Sequence, residues 1–187
     1  MNFGCGNATR VSSSLLPLAC MVVYMTDDDT DLRELVRSRL QSTVDLAKRL
    51  MAGRNDWKGR DYYIHDIEVM ELLPPEASDA ERKAALLHST LDGGAATPEE
   101  LLRLGVEPEV VEIVKLVSNG PKVRGYAAYV QKCREVVASG SCSAMRVKLA
   151  DMLANEGHPS NNYAETIEIM RAGLRAARGE SGQSSER

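Results

Sequence analysis

His65, His88, Asp92, Asp151 and Asn155 have the side-chain types and spacings that suit a cation-assisted reaction. His88 and Asp92 are four residues apart, so on a helix they share one face. Asp151 and Asn155 repeat that spacing later in the chain. Two such faces, with His65 set against them, would gather imidazoles and carboxylates around a cation. A mixed imidazole and carboxylate shell suits Mn²⁺ or Fe²⁺. Such a cation polarises a phosphoryl oxygen and lowers the pKa of a bound water. Asp92 would then orient or deprotonate that water. Asp151 lies in the apolar run Leu149-Ala150-Asp151-Met152-Leu153, where an acid is costly without a partner. That placement favours a site over a solvated face. Lys148, one turn before Asp151, is positioned to pair with it.

The elements that must position these groups read as helices. Asp27-Asp28-Asp29-Thr30-Asp31 puts acids ahead of an apolar-periodic stretch, which suits a helix N-terminus. Leu32, Leu35, Val36, Leu40, Val44, Ala47 and Leu50 then recur at helical spacing, and Gly53 stops the pattern. A polar loop, Arg54–Asp61, precedes a helix over Tyr62–Leu73, which Pro74-Pro75 ends. Ser78-Asp79-Ala80-Glu81 is a capping-box pattern opening a helix to about Asp92, with Gly93-Gly94 after it. Thr97-Pro98-Glu99-Glu100 is a second capping box for a short helix ending at Gly105. Pro108–Ser118 is a helix with Val110, Val111, Ile113, Val114 and Val117 on its buried face. Tyr126–Ala138, Ser141–Asn155 and Asn161–Arg178 complete the set. No alternating strand pattern and no repeat interrupts them. The expectation is an all-α helical bundle of about eight helices.

The boundaries follow. Residues 1–25 read as a disordered or leader segment, 26–178 as the helical domain and 179–187 as a polar, disordered tail. The run Leu15–Tyr24 is too short to span a bilayer. A signal peptide is the competing reading, but Arg10 is its only basic residue and no A-x-A site follows.

Composition removes whole classes. The net charge is −4, so no global positive field would attract nucleic acid. Apolar residues are 43% and charged residues 27%, which excludes strongly disordered or low-complexity chains. The four cysteines, Cys5, Cys20, Cys133 and Cys142, have neither CxxC nor zinc spacing. They read as free thiols in a reducing, cytoplasmic compartment. No membrane partner is expected, and the oligomeric state is left open.

Three segments carry a resemblance. The first is Gly59-Arg60-Asp61-Tyr62-Tyr63-Ile64-His65-Asp66-Ile67-Glu68-Val69. The second is Lys83-Ala84-Ala85-Leu86-Leu87-His88-Ser89-Thr90-Leu91-Asp92-Gly93-Gly94, followed by Thr97-Pro98-Glu99-Glu100-Leu101. The third is Met145-Arg146-Val147-Lys148-Leu149-Ala150-Asp151-Met152-Leu153-Ala154-Asn155. Together, over about Leu46–Leu174, they resemble the HD-domain phosphohydrolases, and within them the RelA/SpoT-type alarmone hydrolases and their small single-domain relatives. The resemblance implies one divalent metal, usually manganese, held by His65, His88 and Asp151. It puts Asp92 and Asn155 at the attacking water, and Lys58 and Arg60 toward substrate phosphates. It implies pyrophosphate release from a guanosine polyphosphate alarmone or a related nucleotide.

The departures from the family pattern cluster at its catalytic residues. Ser89 stands where the His-Asp doublet has its Asp, so the ligand set loses one of two negative charges. Metal affinity should fall by orders of magnitude, unless a water fills the place. Asp92 replaces a longer Glu, and Gly93 removes a second acid. Asp61 and Asp66 stand where prolines are usual, a tolerable change. The resemblance therefore implies either a hydrolase of impaired activity or a catalytically inactive nucleotide-binding or regulatory protein on the same scaffold.

Overall fold

The computed structural model describes residues 40–120, 125–156, 158 and 163–179. The leader at 1–25, the acidic run at 27–31 and all of the tail beyond Gly179 lie outside the described residues. So do Cys5 and Cys20. Helix α1 covers residues 40–50. It is followed by α2 (Tyr62–Glu71), α3 (Asp79–Asp92), α4 (Pro98–Arg103) and α5 (Pro108–Val117). The chain continues through α6 (Tyr126–Ala138), α7 (Cys142–Ala154) and α8 (Ala164–Ala177). Among the described residues there is no strand, only an isolated bridge between Asn55 and Asp61. Among the described residues the chain is all-α with eight helices, matching the bundle of about eight that its sequence predicts.

Both capping boxes form. Ser78 Oγ accepts from the Glu81 amide, and a Glu81 carboxylate oxygen accepts from the Ser78 amide. Thr97 and Glu100 repeat the exchange at α4. Two otherwise orphaned donors are satisfied at each start. Glu81 is buried, and its other oxygen accepts from Arg146 of α7 at 3.2 Å.

Helix α3 is the centre of the bundle. It packs against α5, α2 and α7. Seven consecutive residues, Ala84 to Thr90, are buried. A helix walled on three sides has no solvated stripe in that stretch. This is what carries His88 and Ser89 into the interior. On α5, Val110, Val111, Ile113, Val114 and Val117 are buried, the face that its spacing predicts. Helix α8 lies across α6 and α7. The approach depends on Gly173, where a Cβ would lie 2.8 Å from Met145 Sδ and 2.9 Å from the Val137 methyls.

The loop before α2 is ordered around one carboxylate. Asp56 Oδ1 accepts from the amides of Lys58 and Arg60, both at 2.9 Å. Gly59 turns the chain with φ of 79°, a conformation that costs glycine little. The loop thereby delivers α2 with His65 near its middle. Cys133 and Cys142 are free thiols, as expected. Among the described residues, no helix is long and apolar enough to cross a membrane.

Candidate metal centre

His65 on α2, His88 on α3 and Asp151 on α7 converge in the interior, and all three are buried. His65 Nε2 lies 3.4 Å from Asp151 Oδ1, and His88 Nε2 lies 3.5 Å from the same oxygen. The ligand atoms of the three residues lie within 4.8 Å of one another. Metal–ligand bonds of about 2.1 Å place neighbouring donors roughly 3–3.5 Å apart, so this donor set fits a divalent cation. The group could hold one. Its oxygen and imidazole donors, without thiolate, suit a borderline to hard ion.

His88 and Asp151 are each held by a second contact that leaves a donor atom facing the centre. His88 Nδ1 donates to the Ala85 carbonyl at 2.7 Å, leaving Nε2 to face Asp151. That assignment follows from the carbonyl, which can only accept. The Asp151 carboxylate is held at both oxygens. Lys148 Nζ donates to Oδ2 at 3.1 Å, and Asn155 Nδ2 donates to Oδ1 at 2.8 Å. Asn155 caps α7 and also donates to the Asp151 carbonyl. Lys148 is 1% exposed, with its ammonium 5.0 Å from the centre of the Tyr129 ring. The His65 ring meets the edge of Tyr62 and tilts 58° against His88.

The electrostatics bind these groups into one unit. Burial would raise the Asp151 carboxyl. The Lys148 charge and hydrogen bonds from His65 and His88 outweigh it and hold Asp151 well below the usual carboxylate range. Burial would lower His88, but the hydrogen bond and charge of Asp151, with the charge of Asp66, hold it up at about 9. Without a cation His88 therefore carries a proton at neutral pH. A cation must displace that proton to reach Nε2.

Asn155 touches the centre through Asp151. Asp92 is not among the clustered residues. It is exposed, and its carboxylate accepts from the amides of Asn119 and Gly120 and from Asn119 Nδ2, at 2.6, 3.1 and 3.1 Å. Asn119 Oδ1 in turn accepts from Lys148 at 3.3 Å. Among the described residues, Asp92 thus connects to the centre through Asn119 and Lys148. Arg60 is clasped by Asp56 at 2.7 Å and by Glu68 at 2.5 Å. Lys58 pairs with Glu68 at 3.3 Å. Both basic side chains expected to meet substrate are thus matched to carboxylates of this chain. A groove of about 490 Å³ opens beside them, with Glu68, Glu71 and Glu156 among its walls. At Gly93 the space of a missing side chain is taken by Arg54, whose Nη1 donates to the Gly93 carbonyl at 2.6 Å.

Two participants escaped sequence reasoning. Asn119 had no motif to mark it. Asp66 stood out only as a departure from proline, yet it is fully buried and accepts a hydrogen bond from the Ser89 hydroxyl. Burial raises its carboxyl to about 6 against the opposing pull of His88 and Ser89. An acid between Ile64-His65 and Ile67, one position from a candidate ligand histidine, was the available signal.

Compared with models of known families and with characterised proteins, the sequence matches none.

Proposed function

We propose that the chain is a divalent-metal-dependent phosphohydrolase of the HD type, acting on a guanosine polyphosphate alarmone or a related nucleotide. The observation that carries the reading is the convergence of His65, His88 and Asp151 from three helices onto one buried point, with Asp151 Oδ1 3.4–3.5 Å from both imidazoles. The order and residue types of the three resembling segments support it. When bound, Mn²⁺ or a similar ion would polarise a phosphoryl oxygen and acidify a water. The chain's own residues do the rest. His65, His88 and Asp151 hold the ion. Asn155 and Lys148 fix the carboxylate so that Oδ1 is turned to the imidazoles.

A second reading, a non-hydrolytic nucleotide-binding or regulatory protein, has its own support. Both oxygens of Asp92 are taken up by Asn119 and Gly120 rather than offered to a water. Lys58 and Arg60 are spent on internal carboxylates.

One experiment separates the readings. The full chain is stripped with EDTA and reloaded with Mn²⁺, and bound metal is measured by elemental analysis. Pyrophosphate release from a guanosine 3′-diphosphate-type alarmone is then assayed. Stoichiometric Mn²⁺ with slow release, both lost in His88→Ala, supports the hydrolase. Bound Mn²⁺ with no release supports the second reading. Absence of Mn²⁺ removes the cation site itself.

A further inference from the structure

The donor set at the candidate metal centre is short of negative charge. His65 and His88 are neutral when they ligate, and Asp151 is already matched by the Lys148 ammonium at 3.1 Å. A dication in this buried position needs another anion nearby, because the interior screens charge poorly. One stands next to the cluster. Asp66 is 0% exposed, and its Oδ1 lies 3.4 Å from His88 Nδ1. The same oxygen accepts from the Ser89 hydroxyl, and Ser89 Oγ lies 3.5 Å from His88 Nε2. Asp66 Oδ2 is buried and has no hydrogen-bond partner among the described residues. An unpartnered buried carboxylate oxygen costs stability, and a fold optimised for packing alone would place an apolar side chain there.

We propose that Asp66 is the second anionic group of the cation site, held by Ser89 and acting on the divalent ion through His88. It rests on the reading of His65, His88 and Asp151 as that site. Asp66 is a positioning residue rather than a ligand. It lies on the Nδ1 side of His88, where Nδ1 donates to the Ala85 carbonyl and the Asp66 charge, 3.4 Å away, adds to that carbonyl in strengthening Nε2 as a donor. Helices α2 and α3 pack closely, so an acid presented by α2 is felt where position 89 of α3 has only a hydroxyl. In this protein the negative charge of the site is divided between α2 and α7, and Ser89 is its hydrogen-bonding link.

The test is Mn²⁺ titration by calorimetry on the full chain, for wild type, Asp66→Asn and the charge-relocating pair Asp66→Asn with Ser89→Asp. Thermal unfolding in EDTA accompanies each. Asp66→Asn should bind Mn²⁺ about 10–100-fold more weakly, the usual cost of an outer partner of a ligand histidine. Its unfolding midpoint in EDTA should not fall, because Asn keeps an acceptor for the Ser89 hydroxyl while a buried charge with one unpartnered oxygen has been removed. The double variant should recover most of the lost affinity. Wild-type affinity in Asp66→Asn would overturn the proposal. So would a lowered midpoint in EDTA with no recovery in the double variant, which would mark Asp66 as a packing residue. Failure of wild type to bind Mn²⁺ would overturn both this inference and the metal-dependent function, whereas the first two results leave that function standing.

Discussion

Lys148 Nζ lies 3.1 Å from Asp151 Oδ2 across one turn of α7, and Lys148 is 1% exposed. An ammonium so enclosed is tolerated only while its counter-charge is in place. Lys148→Met should therefore destabilise the fold by about 3 kcal/mol in EDTA, because buried Asp151 loses the ammonium on Oδ2 and keeps only the imidazoles on Oδ1. Asp151→Asn should cost a similar amount by stranding the lysine. Urea unfolding of both variants measures this, and a cost below about 0.5 kcal/mol would show that water reaches the pair.

The buried acids and the imidazole set the pH profile of stability. His88 is raised from 6.5 to about 9, so its contribution is full below 6.5 and is lost as pH rises through about 9. Asp66 is raised from 3.8 to about 6, so stability also declines as pH rises between those values. Asp151 acts oppositely, contributing above 3.8 and failing only as pH falls through its strongly lowered value. Unfolding free energy in EDTA should fall across both upper windows. Asp66→Asn should flatten the lower of the two and His88→Gln the upper. A profile unchanged by either substitution would refute the assignment.

Cation uptake should release protons at neutral pH, since the ion takes the place of the proton on His88. Calorimetric Mn²⁺ titrations in buffers of different ionisation enthalpy measure the number released. Release should vanish above about pH 9, where His88 has already lost its proton. Equal heats in all buffers at pH 7 would mean that His88 is neutral before binding.

Gly173 lies within α8, where replacing glycine by alanine ordinarily stabilises by about 1 kcal/mol. Here the sign should reverse. The new methyl would meet Met145 Sδ at 2.8 Å and Val137 at 2.9 Å. Gly173→Ala should cost about 1–2 kcal/mol net by denaturant unfolding. A stabilised variant would show that Met145 and Val137 give way freely.

How far the amino-acid order alone reaches depends on the range of the interaction. Ser78 with Glu81 and Thr97 with Glu100 are local signals, and both helix starts were legible because their partners are three residues apart. The valines of α5 follow from periodicity for the same reason. His65, His88 and Asp151 were identifiable as residues, but only packing brings them together. The partners of Asp92 were hidden, since Asn119 is 27 residues away and joins it only where α3 and α5 meet. Asp66 and Ser89 are 23 residues apart, and nothing in either segment announces the other. Arg60 has partners that its loop position did not announce. A basic residue in a loop before a candidate ligand suggests a free cation, while Asp56 and Glu68 had already claimed it.

The enclosure of α3 by α2, α5 and α7 has a dynamic consequence. Its interior amides can exchange with solvent only when the surrounding helices part, so they should report the opening of the whole bundle. His88 rides on that helix. Its place in the cluster is therefore lost in the same event that dissolves the core, and partial opening near the chain ends leaves it standing. A cation bound there would be released on the timescale of global unfolding rather than of loop fluctuation.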